Sequence, residues 1–384
     1  MAGGLHSERE LLQAGLARLR DLLGDGWAVA PLLTEFSGTR GGRFDALVEV
    51  SSPGGEDGHS ARLLAEVKTH ITPKDVEQVL LPMRDAMRRV GSDSRLLVIC
   101  PWVSPRAQQV LRDHGIGYLD MTGNAWLRLD RPAVVVRTDG AVRSPRPHSA
   151  RSPKPQLAGA KAGRLVRLLA DVRPPYRADP LAKASGLSLP YVSRLLDALE
   201  EQLLVRRDSR VVTEVDWPGI LRLRAGQLSL LKSHTYVSAI APSGPQQVVN
   251  RLRHQVAVAG REFAVTGTHA AHTVAPLAVG GQLMIYVPDS PGAAEQMIQE
   301  TGLLPTDEGA DVLLLRARDE VVFQRARTVD GVRYVALSQL ALDCLSGPGR
   351  MPAEGEAVVS YMAGNESEWR VGSLEEVRPG GSPE

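Results

Sequence analysis

The stretch Tyr176–Val215, YRADPLAKASGLSLPYVSRLLDALEEQLLVRRDSRVVTEV, restricts the fold more than any other part of this 384-residue chain. Leu181, Ala182 and Ala184 are spaced for a short apolar helix, and Gly186-Leu187 supply a turn. Ser188 is placed to cap a second helix running to Glu201, with Val192, Leu195, Leu196, Leu199 and Leu203 on one face. Leu189, Pro190, Tyr191, Ser193 and Arg194 then fall on the opposite, early face, where a helix in a major groove carries its reading side chains. Arg206-Arg207-Asp208-Ser209-Arg210 follows between two β-branched runs, as the basic tip of a hairpin beside phosphates would. A helical hairpin used only for packing shares the small-residue and glycine pattern. The conjunction of cap, turn glycine, exposed Ser-Arg pair and arginine-rich hairpin favours a winged helix-turn-helix on double-stranded DNA. Ser188, Tyr191, Ser193 and Arg194 are expected on bases or nearby phosphates, and Arg206, Arg207 and Arg210 on the backbone of the adjacent groove.

The net charge is only +1, so any nucleic-acid surface has to come from local clustering. Apolar content of 43% and charged content of 23% suit a folded chain, and the length suits two or three domains. Cys100 and Cys344 are far apart, each in an apolar run without metal-ligand spacing. A reduced, cytoplasmic setting is expected from this, and a zinc site is not. No run reaches the length of a membrane span or looks like a signal peptide. Low aromatic content with abundant Ala, Arg, Gly, Pro and Val points to a GC-rich genome, which inflates arginine independently of binding. Lone arginines therefore count for little.

Residues 1–138 read as an α/β domain. Ser7 caps a helix through Leu23, and three strands at 27–33, 43–51 and 60–69 follow. A helix at 73–90, a strand at 95–100, a helix at 105–114 and three short strands complete a mixed sheet. Period two puts Glu66 and Lys68 on one face of the third strand, and a hairpin brings Asp45 to their level. Two carboxylates can hold Mg²⁺, and an adjacent lysine can position a water for attack on phosphate. The arrangement resembles the PD-(D/E)XK nuclease fold, with Asp45 as first acid, Glu66 as second and Lys68 as the lysine. The resemblance adds Glu10 as the extra acid of the opening helix, and Gln78 could face the same site. Asp45 follows Arg43-Phe44 where that family often has a proline. Three readings stay open: a working Mg²⁺-dependent nuclease, the same fold kept as a platform, and an ordinary Glu66–Lys68 ion pair.

Residues 114–127, HGIGYLDMTGNAWL, look like strand, tight turn and strand, with Gly123 and Asn124 suited to positive φ. Residues 139–160 are rich in Pro, Ser and small residues, with Arg143, Arg146, Arg151 and Lys154 as their basic residues. They read as an extended linker, either a phosphate-reaching tether or a solvated spacer. The winged helix occupies 161–215, and a second α/β domain, with a strand at 321–323 among its elements, occupies 216–362; a flexible acidic tail takes 363–384. The Tyr-x-Asp-x-x-Gly-Asn-Ala stretch ahead of a winged helix resembles AbiEi-like antitoxins of bacterial type IV toxin–antitoxin systems. So do Thr266–Ala271, Ser338–Asp343 and Pro348-Gly349-Arg350. That resemblance implies a DNA-binding regulator, an antitoxin role through a protein partner, and a C-terminal domain distantly similar to nucleotidyltransferases. The strand Gln282–Tyr286 lacks alternating acids, and Asp289 comes only after it, which argues against nucleotidyl transfer. His269 and His272, one turn apart, have no obvious third ligand. A homodimer on a palindromic site is a further expectation.

Overall fold

The computed structural model describes residues 7–37, 43–54, 59–89, 94–142, 156–255, 262–277 and 280–377. The chain divides into two compact units, residues 1–153 and residues 154–384 apart from a short stretch at 200–203.

In the first unit, α1 (Glu8–Leu23) starts at a capping box: Ser7 Oγ accepts from the Glu10 amide, and Glu10 accepts from the Ser7 amide at 2.8 Å. Strands β1 (Ala28–Ser37), β2 (Arg43–Ser51) and β3 (Ser60–Val67) form an antiparallel meander. β4 (Arg95–Cys100) and β5 (Gly117–Asp120) extend it in parallel; β6 (Ala125–Asp130) and β7 (Ala133–Thr138) finish it antiparallel. Parallel neighbours need crossovers, and helices supply both. The first is broken: α2 (Pro73–Asp75) runs through a π-helical turn, Val76–Leu80, into α3 (Leu81–Arg89). The second is α4 (Pro105–Asp113). Alternation then sorts the sheet. Leu63, Ala65, Val67, Leu97 and Ile99 pack on Leu11, Leu12, Leu16 and Leu19 of α1. Leu64, Leu96, Val98 and Cys100 pack on Val76, Leu80, Ala107 and Leu111. Helix α1 comes in close at Gly15, where an added Cβ would lie 2.7 Å from Ile99.

The turn after β5 is braced from within. Asp120, wholly buried, accepts from the Thr122, Asn124 and Val103 amides, Thr122 Oγ1 and Asn124 Nδ2, at 2.8–3.0 Å. Gly123 takes φ 116 as expected, but Asn124 stays at negative φ. Its side chain instead accepts from the Gly140 amide and donates to the Ala141 carbonyl.

The second unit opens with α5 (Ala160–Asp171), β8 (Tyr176–Arg177), α6 (Ala178–Ser185), α7 (Leu189–Glu201), β9 (Val205–Asp208) and β10 (Val211–Val215), its strands ordered β8-β10-β9. Helices α8 (Trp217–Ala225) and α9 (Leu230–Ser233) lead to β11 (Tyr236–Ile240), α10 (Pro245–Gln255), β12 (Ala264–Thr266), α11 (Gly267–Ala271), β13 (Leu283–Pro288) and α12 (Ala293–Thr301). Then come β14 (Leu304–Pro305), β15 (Val312–Ala317), β16 (Arg327–Val329), β17 (Val332–Tyr334), α13 (Leu337–Leu345), α14 (Met351–Gly364) and α15 (Glu366–Trp369). The seven-stranded sheet runs β14-β11-β15-β13-β12-β17-β16.

Four expectations change here. The boundary drawn at 215/216 is not a boundary of packing, because one core runs from Leu165 and Leu196 through Trp217 to Leu340 and Val358. Arg167, 2% exposed, ties α5 to the rest by donating to Ser338 Oγ at 3.1 Å and the Gln324 carbonyl at 3.0 Å, and within α5 it also reaches the Asp171 carboxylate at 3.4 Å. The segment from 363 onward, expected as a flexible acidic tail, is folded through Val377. Trp369 is buried edge-on to Trp217, centroids 5.0 Å apart, Val371 bridges Val172, and Glu366 accepts from Trp217 Nε1 at 2.7 Å. Residues 321–323, expected as a strand, form a 3-10 turn capped by Asp319. The hairpin β16–β17 was not anticipated. Residues 378–384 and the linker cations Arg143, Arg146, Arg151 and Lys154 lie outside the described residues.

Candidate nucleic-acid interface

Helix α6 ends where the sequence places its turn. Gly186 adopts the left-handed conformation at φ 64, and the Leu187 amide donates back to the Ala182 carbonyl at 3.0 Å, a Schellman closure. Ser188 stands just ahead of α7, its carbonyl accepting from the Val192 amide at 3.1 Å. Val192, Leu195, Leu196 and Leu199 are buried on the inner face of α7. Ser188, Leu189, Pro190 and Arg194 are exposed at its start, whereas Tyr191 and Ser193 are half-buried. Tyr191 packs against the core, so only part of its ring is open to a ligand.

The wing is narrower than its sequence suggests. Val211 pairs with Asp208, so the tip is the two residues Ser209 and Arg210, at φ 47 and 73. Positive φ at both central residues is the type I′ turn that matches strand twist, a turn usually built from Asn-Gly or Asp-Gly. Arg206 and Arg207 lie within β9 rather than at the tip. Arg206 Nε is 3.4 Å from Glu214 Oε2, and Arg207 donates to Asp197 Oδ1 of α7 at 2.6 Å. Arg194 and Arg210 are exposed and, among the described residues, have no ion-pair or hydrogen-bond partner.

The other constellation lies in the first unit. The register that pairs Ala46 with Ala65 sets Asp45 opposite Glu66, and Asp45 Oδ2 accepts from the Val67 amide at 2.7 Å. Glu66 is 6% exposed; its Oε1 accepts from Lys68 Nζ at 2.5 Å, while its Oε2 is buried without a hydrogen-bond partner among the described residues. Burial pushes the Glu66 carboxyl up, only partly offset by Lys68. Burial also works against the Lys68 charge, but the bond from Glu66 and the charges of Glu66, Asp45 and Glu8 outweigh it and raise its pKa. Glu10 closes the cap of α1, and the α1 acid whose charge reaches the pair is Glu8. Gln78 is exposed in the π-turn. His269 Nε2 lies 3.2 Å from the Gly281 carbonyl, and burial lowers its pKa. Among the described residues, no three His, Cys, Asp or Glu side chains are grouped to hold a metal.

Together these elements define a DNA-binding protein that carries a winged helix-turn-helix within a mixed α/β fold of several sheets. Residues 160–209 match the IclR helix-turn-helix domain, which supports a DNA-binding transcriptional regulator. No curated protein matches the chain. Among solved structures it is similar to EndoMS in an EndoMS–dsDNA2 complex, with 18% identity over 28% of this chain and 44% of that one, TM-score 0.20. It is also similar to EndoMS in apo form, with 17% identity over 31% and 48%, TM-score 0.21. The chain thus spans less than half the length of these structures. No described helix is long and apolar enough to cross a membrane.

Proposed function

We propose that this chain regulates transcription by laying the first turns of α7 in the major groove of double-stranded DNA, with Arg210 of the wing on the flanking backbone. The observation that carries this reading is the pair of exposed, unpartnered guanidiniums, Arg194 and Arg210, on the two elements a winged helix presents to DNA. Ser188 and Ser193 add short donors beside Arg194. Arg206 and Arg207 join by exchanging Glu214 and Asp197 for phosphates, because surface ion pairs hold only about 0–1 kcal/mol. Footprinting of the full-length protein on genomic DNA tests the reading. A protected site lost in the Arg194→Ala, Arg210→Ala double variant is expected; equal protection by that variant refutes it.

A second reading is favoured by one atom. Among the described residues Glu66 Oε2 is buried and unpartnered, with Glu66 opposite Asp45 in register, which fits a single divalent cation held by one carboxylate from each residue, as Mg²⁺ is held beside phosphates. Such an ion would polarise a phosphate oxygen and supply hydroxide. Lys68, bonded to Oε1, orients the Glu66 carboxylate. Plasmid DNA with Mg²⁺ or Mn²⁺ decides it: nicking abolished by Lys68→Ala makes the protein a nuclease, and binding without nicking leaves the regulator alone. The finer AbiEi-like antitoxin reading rests on the Tyr-x-Asp-x-x-Gly-Asn-Ala stretch, whose Asp120 and Asn124 already serve the turn, and on Thr266–Ala271, Ser338–Asp343 and Pro348-Gly349-Arg350; co-purification with a neighbouring gene product is its test. Nucleotidyl transfer is not part of the proposal, since β13 carries no carboxylate.

A further inference from the structure

Leu189 opens α7, and among residues 160–215 it is the one large apolar side chain that stays exposed, at 43% of its surface. Val192, Leu195, Leu196 and Leu199 of the same helix are buried, and so are Leu204 and Val212 behind them. Leu189 stands one turn ahead of Val192, so it carries the apolar stripe of α7 past the end of the core. Its neighbours Ser188 and Pro190 are exposed, as is Arg194, one turn beyond Pro190 on the outer face. Side chains of a helix lean toward its N-terminus, so Leu189 and Pro190 project off the tip of α7. That tip is the part of a recognition helix that meets base edges.

A leucine offers nothing to a phosphate, nor to the donors and acceptors that guanine, cytosine and adenine display. The apolar group of the major groove is the C5-methyl of thymine, and contact with it is how apolar side chains read sequence there. We propose that Leu189, with Pro190 beside it, reads the C5-methyl of a thymine close to the guanine that Arg194 takes. The inference rests on the DNA reading above and adds a base preference to it. The covered part of the leucine anchors the side chain, and the open part is what the methyl meets. A helix rises about 1.5 Å per residue and a duplex about 3.4 Å per base step, so the five residues from Leu189 to Arg194 span about two steps. Thymine and guanine therefore fall within about two base pairs of each other.

The test selects the tightest duplexes from a randomised library with the full-length protein, then replaces each thymine in turn by uracil, which deletes the methyl and nothing else. At one position uracil should cost about fourfold in affinity, the fold-change that corresponds to about 0.8 kcal/mol for one buried carbon. Leu189→Ala should bind the thymine duplex about as weakly as the parent binds the uracil one, and should itself be indifferent to uracil. Leu189→Met, still long enough to reach the methyl, should keep the preference. Affinity for unrelated duplex should be the same in both variants and the parent. A protein that selects no sequence over any other overturns the DNA reading itself. A selected site without thymine, a site indifferent to every uracil, or an undiminished uracil penalty in Leu189→Ala overturns the thymine assignment and leaves the DNA reading standing. The uracil comparison needs no variant, so it stands even if Leu189→Ala does not fold.

Discussion

Replacing Arg210 with glycine should separate what the wing costs from what it does. Ser209 and Arg210 both sit at positive φ, in a turn that β16–β17 builds from Asp330 and Gly331 at φ 49 and 76. The left-handed conformation costs an L-residue about 1–2 kcal/mol, and glycine gives back about 0.5–1 kcal/mol in unfolded-chain entropy. Arg210→Gly should therefore leave stability unchanged or raise it by about 1 kcal/mol, a gain of up to about 4 °C for a unit of this size. DNA binding should move the other way. Each phosphate neutralised adds about 0.9 to the slope of log affinity against log salt, so the glycine variant should lose about that much. Arg210→Lys, which keeps charge and strain, should keep the slope, and Arg210→Ala should lose it without the gain in stability. Fluorescence anisotropy across a salt series, with thermal melts of the same proteins, reads both quantities. A glycine variant with the parent's salt slope would show that Arg210 touches no phosphate, and the wing assignment would fail.

Arg194→Ala should cost about 1–3 kcal/mol on the preferred duplex if the guanidinium pairs with guanine, and little on unrelated duplex. Equal losses on both, measured by competition gel shift, would place Arg194 on the backbone instead. Burial raises the Asp343 carboxyl although Thr266 Oγ1, Gln339 Nε2 and Tyr286 OH donate to it at 2.6, 2.8 and 3.1 Å. With its pKa above the unfolded value, the folded chain binds the extra proton, so this contribution is full below the ordinary carboxylate range and is lost as pH rises through the folded value. Melts of Asp343→Asn against the parent should therefore shift in the variant's favour from acid to neutral pH, and a pH-independent difference would count against the assignment. Arg167→Met should destabilise the second unit by about 3–5 kcal/mol, because it strands a buried network that includes Asp171. Denaturation should then show the winged helix and the C-terminal sheet lost together; two separated transitions would contradict their shared core.

What could be read in the sequence was what local chemistry decides. Ser7 and Glu10 announce a helix start, Gly186 a left-handed stop, and strand parity puts Glu66 and Lys68 on one face, with a hairpin to bring Asp45 to their level. The IclR-type match at 160–209 falls on the stretch those signals picked out. What escaped was set by distant pairing. The Asp330-Gly331 turn was a legible hairpin signal, yet each strand has three residues, too few to show alternation. An irregular register between Val212 and Glu214 brings Glu214 opposite Arg206, and no spacing rule predicts that. The last segment looked like a tail because its Glu, Gly and Pro content hides one tryptophan that finds Trp217.

Those pairings limit how tightly one copy can hold DNA. If Arg194 reads a base and Arg206 and Arg207 keep Glu214 and Asp197 while bound, Arg210 is the phosphate contact left among these four, giving a salt slope of about 0.9 against about 2.7 if Arg206 and Arg207 also engage phosphates. Either figure is small beside the 6–10 phosphate contacts, roughly, of a strong binder. The net charge of +1 adds no long-range attraction to offset this. A site held at regulatory affinity therefore calls for two reading heads, and a two-fold operator follows from two copies of one chain. The slope then doubles to about 1.8 or about 5.4, so a salt titration on half-site and full-site duplexes reports stoichiometry and arginine exchange at once.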